Sequence, residues 1–245
     1  MDETHKESLE ILTELKGFVS SSKSELRESH AKLNQLEERL SDLAIEVSQE
    51  RHLTDYVEAL GLAKEYINDI SLQKGQSIVV VKILAVSSSF SWDFIKNHLL
   101  KILEADPELT IHLEWLLVEP KHLKDARAGL NSIKVPWHEI SSKRELEIAE
   151  AVSSLSKGVS ERFTCKLKYY SNIPHWHGVL INDVQLYLGR TSWTTVDDEL
   201  HLRVGENEYR IFGSESTSRG LPRVRLFNSW FNYYLREGRT AFTHP

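Results

Sequence analysis

Residues 77 to 86, SIVVVKILAV, form a nearly unbroken apolar run rich in β-branched side chains. A strand of that composition has no face for water, so it must be covered on both sides, as a central strand of a layered α/β sheet is. The chain that follows alternates accordingly. SFSWDFIKNHLLKILEA has helical spacing and a start rich in Ser and Asp; after Pro107, LTIHLEWLLV reads as a second buried strand closing on Glu119-Pro120. Lys143 to Leu155 predicts another helix and FTCKLKYY a third strand. Strand, helix, strand, helix, strand is the pattern of an α/β layer with a partly parallel sheet.

Beyond that layer, HGVLI and QLYLG predict a hairpin turning across Asn182-Asp183. ELHLRV and YRIFG predict a second hairpin across GENE. A last amphipathic helix begins near Pro222, with Leu226, Phe227, Trp230, Phe231 and Leu235 on its apolar side. Aromatic side chains at that spacing belong to a core.

The segment before the layer follows another period. Leu12, Val19, Leu26, Leu33, Leu40 and Val47 occupy one heptad position, and Leu15, Leu36 and Leu43 another, while Ser22, Ser29 and Glu50 interrupt the second. So narrow a stripe is buried only against another helix. That helix comes either from a second copy or from LTDYVEALGLAKEYINDI, whose Leu53, Val57, Leu60, Ile67 and Ile70 offer a second apolar face. Self-association through Leu26, Leu33, Leu36, Leu40, Leu43 and Val47 is the expectation. The polar stretch SLQKGQ then places the boundary between a helical coiled-coil arm, residues 1–75, and an α/β domain, residues 76–245.

Charge and motif content narrow the function. Residues 1 to 76 hold nine basic and sixteen acidic side chains, and residues 161 to 245 hold eleven and nine. No region is basic enough for a dedicated duplex-DNA binder, so a nucleic-acid partner is not expected. Arg190, Arg203, Arg210, Arg219, Arg223 and Arg225 nonetheless fall in one short span and leave a local anionic-ligand site open. With no long apolar run and a charged beginning, MDETHKESLE, neither a membrane span nor a secretory signal is expected, and the location is predicted to be cytoplasmic. The single Cys165 fits a reducing compartment. His175 and His177 alternate on one strand and, with His201, could suggest a divalent-metal site; lacking a fixed carboxylate or thiolate, they predict no metal and no cofactor. There is neither a nucleophile elbow nor a glycine-rich phosphate loop.

From Ile78 onward the order of elements resembles one half of the phospholipase D superfamily, over about residues 77 to 240. It runs through an apolar strand, a strand closing on Glu-Pro, and a strand ending in an aromatic residue. Pro, His, a strand, an acidic turn, a strand and Gly-x-x-Ser complete it. The resemblance implies a mixed sheet flanked by helices. It also implies a site in which two His-x-Lys motifs meet at a twofold axis. One His attacks phosphorus, the other protonates the leaving oxygen, the lysines bind phosphate oxygens, and no metal is needed.

The chain keeps His177 of that motif and departs from the rest. Val179 stands at the Lys position, Asp183 is one residue early with Val184 at the family's place, and Gly189 is two residues early. Ser192 has the expected separation from His177 but follows Thr191, and Thr194 replaces the Asn. Removing a preorganised cation typically costs ~2–4 kcal/mol of transition-state stabilisation, and a dimer would lose it twice. Lys166 or Lys168 is the candidate substitute ammonium.

The expected function is therefore a non-catalytic dimeric regulatory, sensing or assembly component, of the kind that proteins resembling this half-domain supply in bacterial signalling and defence. The alternatives are a metal-independent dimeric phosphodiesterase or nuclease using His177 from each chain, and a coiled-coil scaffold for a larger protein partner. His177, Arg190, Ser192 and Trp193 are the candidate ligand-binding set, for a phosphorylated small molecule.

Overall fold

Two faces of one eight-stranded sheet carry the described hydrophobic cores of this protein. The computed structural model describes residues 16–17, 29, 32–33, 35–36, 52–53, 55–73, 77–86, 88–125, 137–172, 175–196, 199–203, 209–213 and 220–245. They belong to two compact units, Met1–Gln49 and Glu50–Pro245.

In chain order the second unit holds β1 (His52–Leu53), α1 (Tyr56–Ser71), β2 (Ser77–Ala85) and α2 (Ser89–Phe94). A π-helical turn (Ile95–Leu99) leads into α3 (Leu100–Ala105), followed by β3 (Leu109–Val118), α4 (Pro120–Asp125), α5 (Trp137–Ser153) and α6 (Lys157–Ser160). Then come β4 (Phe163–Tyr170), β5 (Trp176–Ile181), β6 (Gln185–Arg190), β7 (Ser192–Val196), β8 (Glu199–Arg203) and β9 (Tyr209–Gly213). The unit ends with α7 (Gly220–Glu237) and β10 (Arg239–His244).

Eight strands form one mixed sheet in the order β1-β9-β6-β5-β2-β3-β4-β10, with β2, β3 and β4 parallel and the others antiparallel to their neighbours. The apolar run read as a central strand is β2, fifth of the eight strands and flanked by β5 and β3. Its odd residues Val79, Val81 and Ile83 join Ile111, Leu113 and Trp115 of β3 in a core closed by α1, the Ser89–Ala105 helical stretch and α5. Its even residue Leu84 lies with Leu116, Leu180 and Leu186 in a second core closed by Val224, Phe227, Phe231 and Leu235 of α7. Period 2 along the strands and the 3–4 spacing on α7 thus produce a three-layer α/β/α arrangement.

Three expectations need correction. The helix α1, read as part of the arm, is capped by the Asp55 carboxylate, which accepts from the Glu58 amide at 2.8 Å, and buries Tyr56, Ala59, Leu60, Ala63 and Ile67 against the sheet. The compact unit accordingly begins at Glu50, and a division at 75/76 would separate a helix from its own core. The hairpin across GENE is also replaced. β8 pairs with β7, while β9 pairs with β6 and β1, because Tyr209 and Phe212 gain two buried environments that a free hairpin could not offer. The edge strands β1 and β10 lie in segments too short or too polar to announce themselves.

In the first unit the described residues are helical, and Leu33 and Leu36 are each 54% exposed. The other positions of the expected seam, Leu26, Leu40, Leu43 and Val47, lie outside the described residues.

Candidate functional site

The β5–β6 hairpin turns through Asn182 and Asp183 at φ of 51° and 55°. The Val184 amide donates to the Ile181 carbonyl at 2.9 Å, closing the type I′ turn whose twist matches the strands. Asn182 also ties the turn to β2: its side-chain oxygen accepts from the Val80 amide at 2.7 Å, and its own amide donates to the Val80 carbonyl at 2.9 Å. The hairpin is thereby fixed, and alternation sends Trp176 and His177 to opposite faces.

His177 faces α1 and is sealed there at 1% exposure. It stands in a cross-strand row with Gly189 of β6 and Tyr209 of β9. The Tyr209 hydroxyl is hydrogen-bonded to Nε2, and Nδ1 is hydrogen-bonded to Thr191 Oγ1 at 3.3 Å. The Tyr56 and Tyr209 rings approach edge-on, with centroids 6.0 and 5.0 Å from the imidazole. Burial lowers the His177 pKa to about 3, so the ring is neutral, and burial drives the Tyr209 hydroxyl well above the ordinary tyrosine range. Val179, at the motif's lysine position, is fully buried on the same face. A nucleophile or general acid needs a ring nitrogen within about 3 Å of the reacting atom. Here both nitrogens face hydroxyls of the same chain.

The opposite face of the hairpin is covered by α7 at Leu180 and Leu186 and opens at its Trp176–Arg190 end. Trp176 pairs in register with Arg190, whose guanidinium lies over the indole at 4.8 Å from its centroid. Beside them, Leu188, Phe227 and Trp230 wall a cleft of about 190 Å³, with His175 and Arg223 also lining it. Trp230 is itself held edge-on by Tyr170 at 6.0 Å and packs at a tilt against Tyr234 at 4.4 Å.

The expected ligand set is therefore divided. His177 lies under α1, and Arg190 lies on the α7 side of the sheet. Ser192 and Trp193 open β7, which leaves the main sheet to pair with β8; their side chains lie outside the described residues. Lys166 and Lys168 cannot replace the missing ammonium beside His177. They occupy the even face of β4, three strands away and on the other side. His175 lines the open cleft and shares no face with His177, and His201's side chain is outside the described residues. Among the described residues no group of three His, Cys, Asp or Glu side chains could hold a metal. Cys165 is buried, and burial pushes its thiol up to about 12.

Sequence reasoning missed Lys82. Its ammonium, only 7% exposed as a residue, donates to Asp183 Oδ1 at 2.8 Å and Asn228 Oδ1 at 2.7 Å, joining β2, the hairpin turn and α7. The signal was present as the single charge inside SIVVVKILAV, since a buried ammonium requires partners. Arg223, one of the arginines of the span read as a possible anionic-ligand site, lines the cleft, whereas Trp230 was assigned to the core, because helix periodicity cannot show that the layer stops short of covering it.

Neither a protein-family model nor a curated protein matches this chain. Among the described residues no helix is long and apolar enough to cross a membrane.

Proposed function

We propose that the protein is a non-catalytic regulatory, sensing or assembly component, in which a degenerate, single-copy phospholipase D-like domain is joined to a self-associating N-terminal helix. One observation carries this reading: the histidine that would attack phosphorus is buried beneath α1, with Tyr209 on one ring nitrogen and Thr191 on the other. Exposing it means breaking both hydrogen bonds and lifting Tyr56 and its helix from the sheet. The buried Val179 beside it agrees, since an apolar side chain supplies no charge to a phosphate.

The test is hydrolysis of single- and double-stranded DNA, RNA and bis(p-nitrophenyl) phosphate by purified protein, with and without EDTA. No turnover is expected in any combination. Metal-independent cleavage that vanishes in His177→Ala would overturn the reading in favour of a phosphodiesterase that opens α1 to work.

A further inference from the structure

The sheet face under α7 carries two clefts of different chemistry. The wider, about 560 Å³, is lined by Lys82, Glu114 and Lys166, which stand in one row across β2, β3 and β4. With Asp183 on Lys82, opposite charges alternate there, so an anion would gain little. His112 in the same cleft is engaged with Thr164 Oγ1 at 2.8 Å.

The narrower cleft, at Trp176, Phe227 and Trp230, is different. Its walls are aromatic and aliphatic, and no carboxylate is among its described lining residues. Its charged members are cationic: Arg223 lines it, and Arg190 is stacked on its Trp176 wall. Leu226, another lining residue, is 60% exposed, so the apolar surface continues outward past the rim. At about 190 Å³ the space suits one ring system, being smaller than the roughly 300–1,000 Å³ of drug-sized sites.

We propose that this cleft binds a nucleotide moiety, its base against Trp176 and Trp230 and its phosphate at Arg223 and Arg190. Base–aromatic stacking contributes without regard to sequence, and guanidinium groups recognise phosphate through paired N–H donors. This proposal rests on the non-catalytic reading, because a site that only binds must release its nucleotide intact. The moiety could arrive as a free mononucleotide or as a unit of a single strand; the chemistry recognised is the same.

Calorimetry of the full chain decides it, using AMP, UMP, adenosine, ribose 5-phosphate and a short single-stranded oligonucleotide. AMP or UMP should bind at least tenfold more tightly than adenosine or ribose 5-phosphate, since base and phosphate act together. An oligonucleotide tighter than either mononucleotide identifies the strand as the source, and the reverse identifies the free nucleotide. Arg223→Glu, a change at an exposed residue, should weaken binding at least tenfold with an unchanged circular dichroism spectrum, and Trp230→Leu should do the same. Absence of heat from every probe overturns the proposal, as does equal binding of AMP by Arg223→Glu. Binding followed by cleavage of the oligonucleotide would leave the cleft standing and overturn the non-catalytic reading; silence in calorimetry would do the opposite.

Discussion

Tyr209 and His177 meet across Gly189: the three residues form one row over β9, β6 and β5, and the missing side chain in the middle lets the phenol reach the imidazole. A Cβ on Gly189 would stand 2.4 Å from Tyr209 Cε1 and 2.5 Å from its Cζ. Gly189→Ala should therefore displace the Tyr209 ring and destabilise the fold by about 1–3 kcal/mol. Tyr209→Phe should cost a similar ~1–3 kcal/mol by leaving Nε2 buried without its hydrogen-bond partner. Urea unfolding midpoints at fixed pH measure both; unchanged midpoints would show that the row is not a structural unit.

Acid should weaken the protein well before its carboxylates titrate. His177 is lowered to about 3 by burial, and His98, in the π-helical turn, to about 4 by burial first and the Lys64 ammonium second. A histidine depressed when folded is neutral there while the unfolded chain binds a proton below about 6.5, so stability is full above that pH and falls as pH drops toward the folded values. At pH 5 the loss from His177 alone is about 2 kcal/mol. Unfolding midpoints at pH 7.5, 6 and 5 should fall in that order, and His98→Leu should flatten the trend. A midpoint constant from pH 7.5 to 5 would contradict it.

Lys82 separates removing a buried charge from stranding one. Asp183→Asn keeps a residue suited to the positive φ of 55° but takes the anion from a nearly buried ammonium, for a loss of about 1–3 kcal/mol. Lys82→Met removes the buried charge itself, while Asp183, half exposed, stays hydrated; its cost should be smaller. Thermal denaturation of the two variants checks the order. The reverse order would mean that Asp183 is the partner that needs rescue.

The first unit should control oligomeric state. Leu33 and Leu36 lie on a helix and are each 54% exposed within a single chain. Leu33→Asp with Leu36→Asp is expected to shift the full chain toward monomer in sedimentation equilibrium at tens of micromolar, with the sheet's circular dichroism unchanged. A wild-type monomer at that concentration would refute the seam.

Strands β2 to β6, the long helices between and after them and the hairpin turn at Asn182-Asp183 were legible because each is written locally, in period 2, in 3–4 spacing and in the Asn-Asp turn, whereas β7 and its pairing with β8 were not. The buried central strand was legible for the same reason: an apolar run of that length has nowhere else to go. Tertiary structure alone decided which face each candidate residue serves. His177 and Arg190 are thirteen positions apart in sequence and look like one site, yet strand register sets His177 opposite Gly189 and Arg190 opposite Trp176, on different sides of the sheet. Helix α1 reads equally well as the continuation of an arm or as a lid, since an amphipathic stripe states that it must be covered and not by what. The sheet settled that, and in covering α1 it sealed the histidine.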